Sequence, residues 1–331
     1  MTAFVTELER APAPAARPAI GWRVRLVLLL ALACLLAMPF AGSDFYINLL
    51  TRTMLLAVFA MSLDLLVGHS GLVSLGHAAY FGLGAYVAAL TVPEYEPGNL
   101  WTTLLLATAV AAAAALVVGF FVLRTTGIYF IMVTLAFAQM MFFLFHDTPL
   151  GRGTDGVYIN VKPATGLGFL DLDRATHFYW LALAVLLLAF FLLRRLMHSS
   201  FGSALAGIRE NEHRMRFLGY PTFAYKLAAF TLAGALAGLA GCLLAFHGGF
   251  VNPELLNWQQ SGDALFMVIL GGMGQFYGAA LGAFLFAAMQ EGFGLLTKHW
   301  HLLMGVVIVL LVLVAPRGVA GLLEGRRDGR Q

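Results

Sequence analysis

The chain has 331 residues, of which 60% are hydrophobic and only 11% are charged, and its mean hydropathy is +0.84. Soluble domains carry about 25% charged residues, so the composition excludes a soluble protein and predicts an all-α polytopic bundle of transmembrane helices. The net charge of +3 indicates no nucleic-acid partner. The two cysteines, Cys34 and Cys242, both lie in apolar runs, so no disulfide framework is expected.

Ten apolar runs approach the length of about 20 residues that a helix needs to cross the hydrocarbon core. They predict spans at 24–42, 46–67, 71–92, 101–123, 127–146, 178–197, 223–246, 261–275, 278–296 and 300–315. The membrane domain is therefore expected at 24–315, between an N-terminal tail (1–23) and a C-terminal tail (316–331). The first run has no clear small-residue cleavage site, so it is expected to remain as a span.

A glycine-rich segment with polar side chains joins the second predicted span to the third. Residues 68–86 read GHSGLVSLGHAAYFGLGAY. Small residues permit close helix contact or a helix that breaks inside the membrane, where non-helical backbone must be buried or line a cavity. Four side chains are therefore candidates to line a translocation path: Ser70, Ser74, His77 and Tyr80. The competing interpretation is that Ser74 and His77 tie neighbouring helices together by hydrogen bonds.

The fifth predicted span also carries polar side chains within an apolar run. Its first part lies in TTGIYFIMVTLAFAQ, residues 125–139. Thr134 and Gln139 are expected to face the bundle interior, since lipid would not satisfy their polar groups. Both are path candidates, and hydrogen bonding between helices is the competing explanation.

The longest predicted loop, 147–177, is rich in glycine and aspartate and too polar to cross a membrane. Its start reads GRGTDGV, in which glycines permit tight turns and Asp155 can cap backbone N–H groups. Four residues are candidates for a docking surface: Gly151, Gly153, Asp155 and Gly156. The alternative is an ordered cap over the spans.

The loop at 198–222 is charged and compatible with a helix. Four apolar residues recur at helical spacing: Leu205, Ile208, Met215 and Leu218. Two acid–base pairs have the i,i+4 spacing with the acid first, which is the better orientation: Glu210 with Arg214 and Glu212 with Arg216. Gly219 and Pro221 then predict a helix stop. The loop is therefore predicted to be a short amphipathic helix at the membrane surface, presented to a partner.

A second glycine-rich segment lies between the eighth and ninth predicted spans. Residues 271–284 read GGMGQFYGAALGAF and loosely echo residues 71–86, with a small-residue break followed by Gly-Ala and an aromatic residue. This echo is compatible with an internal repeat that pairs spans 2–5 with spans 7–10.

Basic residues predict the orientation, because they accumulate on the cytoplasmic side of a membrane. Most of the 20 Lys and Arg fall on the side of the 198–222 loop when ten spans alternate. This side is therefore predicted to be cytoplasmic, and both tails are expected to lie on it.

Ionisable residues within or near the predicted spans are scarce: Arg52, Asp64, Asp263 and Glu291. Such residues are functional candidates by default. All four are predicted near span ends, however, where side chains can reach the interface. Without a carboxylate set near the midplane, a mechanism driven by protons or sodium is disfavoured.

These segments together resemble the branched-chain amino acid permease family of ABC importers. The matching sequence motifs in and after the 198–222 loop are IRENE (208–212), LGY (218–220), YKLAAF (225–230) and AGLAG (237–241). Both glycine-rich segments, the TLAF run of the fifth span and the GTDG loop start match the family as well. The resemblance covers roughly residues 64–316, which is most of the chain.

The resemblance implies about ten spans with broken helices and a cytoplasmic coupling helix, in a bacterial inner membrane. The implied partners are a second homologous permease subunit in a heterodimer, two cytoplasmic ATPase subunits, and a periplasmic or lipid-anchored solute-binding protein that docks near residues 151–156. Coupling to the ATPase is carried over to eight residues: Ile208, Arg209, Glu210, Asn211, Glu212, Arg214, Leu218 and Gly219.

The chain itself is expected to hold no catalytic residue, metal or cofactor. No Walker A, His-Glu-x-x-His or Cys/His metal pattern occurs in it, so ATP and magnesium would belong to the partner ATPase. The implied substrates are branched-chain amino acids or related small polar solutes, although some relatives of the family resemble importers of urea, amides or aromatic acids.

Two other classes of function remain open. The first is a stand-alone carrier or channel for small solutes. The second is an intramembrane protease, because residues 68–71 read GHSG, the nucleophile pattern of rhomboid enzymes, which need a histidine on another span to activate the serine. His77 follows Ser70 on the same segment and His247 is predicted near the outer surface, so the sequence favours the permease.

Overall fold

A chain this apolar satisfies its backbone hydrogen bonds within helices, and helices supply nearly all of the regular structure. The computed structural model describes residues 22–41, 43–93, 97–166, 171–315 and 318–324. The predicted N-terminal tail, apart from its last two residues, and the end of the predicted C-terminal tail lie outside the described residues.

The elements follow one another with short connections. The α-helices are α1 (Trp22–Ala41), α2 (Asp44–Asp64), α3 (His77–Thr91), α4 (Leu100–Val122), α5 (Ile128–His146), α6 (Ala175–Met197), α7 (Ser200–Glu210), α8 (Glu212–Phe217), α9 (Thr222–Gly248), α10 (Trp258–Gly271), α11 (Phe276–Leu296), α12 (Trp300–Val314) and α13 (Gly318–Glu324). A π-helical segment (Leu65–Ser70) continues α2, and 3-10 turns lie at Gly153–Asp155 and Pro253–Leu256. Two short strands, β1 (Val157–Tyr158) and β2 (Phe250–Val251), pair antiparallel with Val157 opposite Val251.

Seven candidate segments are long and apolar enough to cross a membrane: Asp44–Ser70, Leu100–Val122, Ile128–His146, Ala175–Met197, Thr222–Gly248, Phe276–Leu296 and Trp300–Gly321. The last of these ranges includes residues 316 and 317, which lie outside the described residues. α1 contributes a shorter apolar stretch, Val24–Phe40. The prediction of an all-helical membrane fold is confirmed, while the count of ten crossings stays a prediction.

Three of the predicted spans correspond to single helices shorter than a membrane crossing. One is α12, at the predicted span 300–315, which has 15 residues. The other two are the glycine-rich spans. α3 has 15 residues and α10 has 14. Each therefore rises about 22 Å, short of the hydrocarbon core of about 30 Å. The predicted span 71–92 is helical only from His77, because Gly71 takes a left-handed conformation (φ 71°) and ends the π-helical segment. The predicted span 261–275 stops at Gly271, because Gly272 has φ 113°.

The centre of the bundle is built from α2, α3, α4 and α9. Small residues let these backbones approach closely. A Cβ at Gly241 of α9 would overlap the backbone of Phe81 on α3, and a Cβ at Gly84 of α3 would overlap the backbone of Gly238. The bundle is therefore tightest where α3 crosses α9, and α5 and α12 lie at its periphery.

The two ends of the bundle can be told apart by their contacts. At the end called here the α7 end, Val24 of α1 packs with Tyr277 of α11 and Ala320 of α13. Phe276 stacks there on His69 of the π-helical segment, which contacts α7. At the other end, called the sheet end, β1 pairs with β2. The start of the first described helix and the last described helix thus pack together at the α7 end of the bundle.

The described part of the predicted C-terminal tail (316–331) is packed structure. α13 occupies part of it, and a Cβ at Gly318 would lie 2.6 Å from the Gly272 nitrogen. The start of α13 therefore covers the turn between α10 and α11, which a hydropathy count of spans does not foresee.

Candidate coupling and transport site

The charged loop at the α7 end folds as two helices. α7 ends at Glu210 and α8 begins at Glu212, with Asn211 between them in an extended conformation (φ −156°, ψ 98°). The Asn211 side chain accepts a hydrogen bond from the Arg214 backbone N–H at 2.9 Å and caps α8. The prediction of one helix is wrong, because a preferred N-cap residue ends α7 and restarts the helix in a new direction.

Glu212 is the centre of an ionic network that fastens α8 to the start of α9. Its carboxylate accepts hydrogen bonds from Arg216 at 2.5 Å, from the Thr222 hydroxyl at 3.2 Å and from Lys226. Burial alone raises the pKa of Glu212, but the hydrogen bonds and charges of Lys226 and Arg216 outweigh it, and the net pKa lies below its ordinary value. The ionised carboxylate thus attaches the loop to a membrane-crossing helix.

The two ion pairs predicted for this loop have different outcomes. Glu212 and Arg216 form their pair within α8. Glu210 and Arg214 form none among the described residues, because the break at Asn211 places them on different helices. An i,i+4 pair requires one continuous helix.

The apolar residues of the loop divide between two surfaces. Leu205 and Ile208 are buried against the bundle. Phe217 is 91% exposed, with Leu218 exposed beside it, where Gly219 ends the helix at φ 86°. The loop therefore carries an apolar tip that faces away from the bundle, within an otherwise charged surface.

The sequence predicted the loop as a functional site, but it did not identify every residue that forms the site. It did not choose Phe217, Thr222 or Lys226 as site residues. A polar pair in the first turn of an otherwise apolar helix was the available signal for Thr222 and Lys226. Phe217 carries no comparable signal, because a buried aromatic residue gives the same pattern.

A cleft of about 520 Å³ opens beside α7. Its walls come from the segment after the π helix, from the connection between α4 and α5, and from four residues of the loop and α9: Ile208, Arg209, Glu212 and Lys226. The Arg209 guanidinium donates a hydrogen bond to the carbonyl of Gly68 in the π-helical segment. Arg209, predicted to meet the ATPase, therefore also reaches into the bundle.

A second polar cleft, of about 550 Å³, lies at the sheet end between α2 and α9. Its polar lining comes from Asn48, Arg52, His247 and Asn252. Arg52 is exposed in it and forms no ion pair with a described residue. The bundle thus has a polar opening at each end.

His77, a path candidate, connects α3 to α2. Its Nε2 lies 2.8 Å from the Ser62 hydroxyl, which already donates to the Phe59 carbonyl at 2.7 Å. His77 Nε2 is therefore the donor, and its Nδ1 has no partner within the described residues. The histidine acts here as a tie between helices, and its role in lining a path stays a prediction.

The other path candidates do not form one continuous line. Ser70 faces the α7-end cleft and donates to the Leu65 carbonyl, whereas Tyr80 is buried against Phe230. The remaining three make local hydrogen bonds or none: Ser74, which accepts from the Gly76 N–H, Thr134, which donates to the Ile131 carbonyl, and Gln139, whose buried Nε2 has no partner in the described chain. Their assignment to a path stays a prediction.

Asp64 departs from the expectation for ionisable residues at span ends. It is fully buried, and its Oδ1 accepts a hydrogen bond from the Gly274 backbone N–H at 2.8 Å. The π-helical continuation of α2 and the turn between α10 and α11 cover it. Of the other three, Arg52 and Glu291 are exposed, and Asp263 is half-buried.

The loop start predicted to dock another protein is a tight turn at the sheet end. Gly151 and Gly156 are buried, because Cβ atoms there would overlap the backbones of Phe145 and Val251. Asp155 is exposed and makes no hydrogen bond with a described residue, so the expected capping role is not seen. Of the four docking candidates, Asp155 is the one that is exposed, and Gly153 is half-buried between it and Gly151.

The geometry offers no support for a serine protease. The Ser70 hydroxyl donates to the Leu65 carbonyl of its own helical segment at 3.0 Å, and no described histidine hydrogen-bonds it. In the part of the chain that the structure describes, no cluster of three or more His, Cys, Asp or Glu could hold a metal ion.

Long apolar helices, two glycine-rich breaks and a charged helix pair at one end define an integral membrane protein of the transporter type. The model of the family described as "branched-chain amino acid transport system / permease component" matches residues 45–313. The chain therefore belongs to that family of transporter subunits, which are permeases and not enzymes.

Relatives with assigned names match over nearly the same range. The high-affinity branched-chain amino acid transport system permease protein LivM is 33% identical in Salmonella typhimurium and 34% identical in Escherichia coli, each match covering 89% of this chain and 74% of the relative. The ribose import permease protein RbsC of Escherichia coli is 25% identical over 88% of this chain and 91% of its own length. No solved structure matches the chain.

Proposed function

We propose that this chain is the transmembrane permease subunit of an ABC importer that carries branched-chain amino acids or related small polar solutes across a bacterial inner membrane by ATP-driven alternating access. The observation that carries the proposal is the α7–α8 pair. It stands at the end of the bundle with an exposed apolar tip at Phe217, and Glu212 binds it to α9.

The α7–α8 pair is the surface that meets a cytoplasmic ATPase. Phe217 and Leu218 enter an apolar groove on that subunit, and the surrounding charges of α8 set the orientation. Because Glu212 joins α8 to Lys226 of α9, a displacement of the tip is transmitted to a helix that runs the length of the bundle. ATP and magnesium belong to the two ATPase subunits.

The α7 end lies in the cytoplasm, together with both termini. The concentration of Lys and Arg on this side supports the assignment, since basic residues are retained there. The sheet end then faces the periplasm, where a solute-binding protein docks around the exposed Asp155. A second homologous permease subunit completes the transport path in a heterodimer, and the weakly buried faces of α5 and α12 are available for that contact or for lipid.

Two polar clefts at opposite ends of a closed bundle centre are the arrangement expected of alternating access. The cleft beside α7 and the cleft beside Arg52 are separated by the close crossing of α3 and α9. The proposed substrate class is supported by the LivM relatives, whose names describe transport of branched-chain amino acids. Urea, amide or aromatic-acid transport is the alternative within the same mechanism.

Co-purification with the neighbouring gene products tests the proposal. The tagged chain is isolated in lipid with the ATPase and the solute-binding protein, and ATP hydrolysis is measured with and without leucine. We expect a bound ATPase, hydrolysis stimulated by the loaded binding protein, and loss of that stimulation in Glu212→Ala. Arg195→Ala, which removes an exposed charge at the same end of the bundle, is the matched control and should behave as the parent.

A chain that purifies without any ATPase would contradict the importer. Uptake into vesicles that stops when the ion gradient is collapsed, and that survives Glu212→Ala, would identify a stand-alone carrier instead.

A further inference from the structure

The two glycine-rich breaks, far apart in the sequence, meet at the α7 end of the bundle. Gly68 lies in the π-helical segment after α2, and Gly274 lies in the turn between α10 and α11. A Cβ at Gly68 would overlap the Gly274 backbone. Phe276, at the start of α11, also stacks on His69 with ring centroids 4.5 Å apart. The breaks therefore form one packed unit.

A buried carboxyl group joins the two breaks. Asp64, one turn before Gly68, accepts a hydrogen bond from the Gly274 N–H at 2.8 Å. Its second oxygen has no hydrogen-bond partner among the described residues, and His69 Nδ1 lies 3.9 Å from it. The contact spans 210 residues of sequence, so only the tertiary fold brings its partners together.

An arginine joins this unit to α7. The last carbonyl groups of a helix lack helical partners and carry the negative end of its dipole, so a cation there is favoured. Arg209 supplies that cation, because its guanidinium donates to the Gly68 carbonyl. Arg209 and residues 70–73, which directly follow Gly68, line the same cleft. A movement of α7 therefore changes the position of one wall of this cleft.

We propose that Asp64 and Arg209 are positioning residues that lock both breaks to α7, so that displacement of α7 moves the two breaks together and opens or closes the α7-end cleft. This inference rests on the proposed importer function and deepens it. Glu212 fixes the loop to α9, whereas Arg209 and Asp64 extend the connection to α2, α10 and α11. Neither residue touches solute in this mechanism.

The test is the number of solute molecules imported per ATP hydrolysed by the reconstituted complex with its binding protein. Arg209→Ala and Asp64→Leu remove the two links, whereas Arg209→Lys and Asp64→Asn keep a donor and an acceptor. We expect the removals to lower the ratio about tenfold, within the usual range of coupling between sites. The conservative variants should remain within about threefold of the parent. The ATPase should stay bound in both Asp64 variants, because Asp64 is buried beneath the surface that meets it.

Tyr179→Phe is the matched control for a purely structural loss. Tyr179 donates a partly buried hydrogen bond to the Leu35 carbonyl at 2.7 Å and ties α6 to α1, away from both breaks. The Tyr179→Phe variant should lower the melting temperature without changing the number of solute molecules imported per ATP hydrolysed. If Asp64→Leu does not fold, Arg209→Ala decides the question alone, because Arg209 lies at the surface of the cleft.

An unchanged ratio in a folded Arg209→Ala complex would overturn the inference while leaving the importer intact. An equal fall of the transport ratio in Tyr179→Phe would overturn the inference as well, because weakening any contact between helices would then lower the ratio. Absence of a bound ATPase in the parent protein would instead contradict the proposed function.

Discussion

The two glycine-rich breaks have similar sequences but are built differently. The first is open, because Gly71 to Gly76 are non-helical and residues 70–73 line the α7-end cleft. The second is a tight turn from Gly272 to Gln275, enclosed by Gly278 and Gly318. Glycine content thus locates a helix break, whereas the neighbours decide whether the break opens to a cleft or packs against backbone. We regard the first break as the wall of the cleft and the second as the packed anchor that is joined to it and moves with it.

Gly271→Ala should have the largest effect on stability, because it introduces a Cβ atom into the enclosed break. Its Cβ would overlap the backbone of Gly278 and lie 2.9 Å from the Ala279 nitrogen, so two helices would have to separate. We expect about 3 kcal/mol of destabilisation, at the upper end for overpacking, and a sharply reduced yield of folded protein. Thermal unfolding followed by size-exclusion fluorescence measures this. A melting temperature equal to that of the parent would contradict the enclosed anchor.

Gly71→Ala should be milder, because the open break has space. The position has φ +71°, and the nearest atom to a new Cβ is Arg209 Cγ at 3.2 Å. A left-handed alanine costs roughly 1–2 kcal/mol, so the protein should fold with a modestly lower melting temperature. The fraction of transport activity that Gly71→Ala loses should exceed the fraction of folded protein that it loses. A loss of folded protein as severe as that of Gly271→Ala would remove the distinction between the breaks.

Ser261→Ala should cost about 1 kcal/mol, because it removes an N-cap that one short helix supplies to the other. The Ser261 hydroxyl of α10 accepts the Ala78 N–H of α3 at 2.8 Å. The melting temperature should fall slightly, and Ser261→Thr should restore it. Gly262→Ala, at a neighbouring position with open space around it, is a suitable control. An unchanged melting temperature in Ser261→Ala would show that α3 does not depend on α10 for its cap.

The smallest effect concerns the pH dependence of the Glu212 network. The pKa of Glu212 is lowered from its ordinary value of 4.5, so its contribution is complete above that value and disappears as the pH falls through the lowered pKa. The difference in melting temperature between the parent and Glu212→Gln should therefore be constant from pH 7 to about 5 and vanish at lower pH. A difference that grows on acidification would mean that Glu212 is protonated in the folded protein.

Local patterns predicted the features that depend on near neighbours in sequence. The glycines at 68–76 and 271–274 located both breaks, Gly219 and Pro221 located the end of α8, and the Glu212–Arg216 spacing predicted a pair that forms. The break at Asn211 was missed because helical periodicity continues across it, although asparagine is itself a capping signal.

Features that depend on tertiary contacts left no local signal. The sequence places Asp64 at a span end, and only the tertiary contact with the turn at Gly274 shows that it is buried. Ser261 accepts the N–H of Ala78, 183 residues earlier, in the first turn of α3. Hydropathy also cannot distinguish a crossing helix from a short one that is completed by non-helical backbone, as α3 and α10 are. Contacts between distant segments, not composition, set these properties.

Site-specific cross-linking tests the central claim most directly. A photoreactive amino acid is placed at Phe217, the exposed tip at the α7 end, or at Tyr158, which is 66% exposed at the sheet end. In intact cells that express the whole system, we predict that position 217 captures the ATPase and that position 158 does not. Capture of the ATPase from position 158, or of a periplasmic protein from position 217, would contradict both the orientation and the coupling role of the α7–α8 pair.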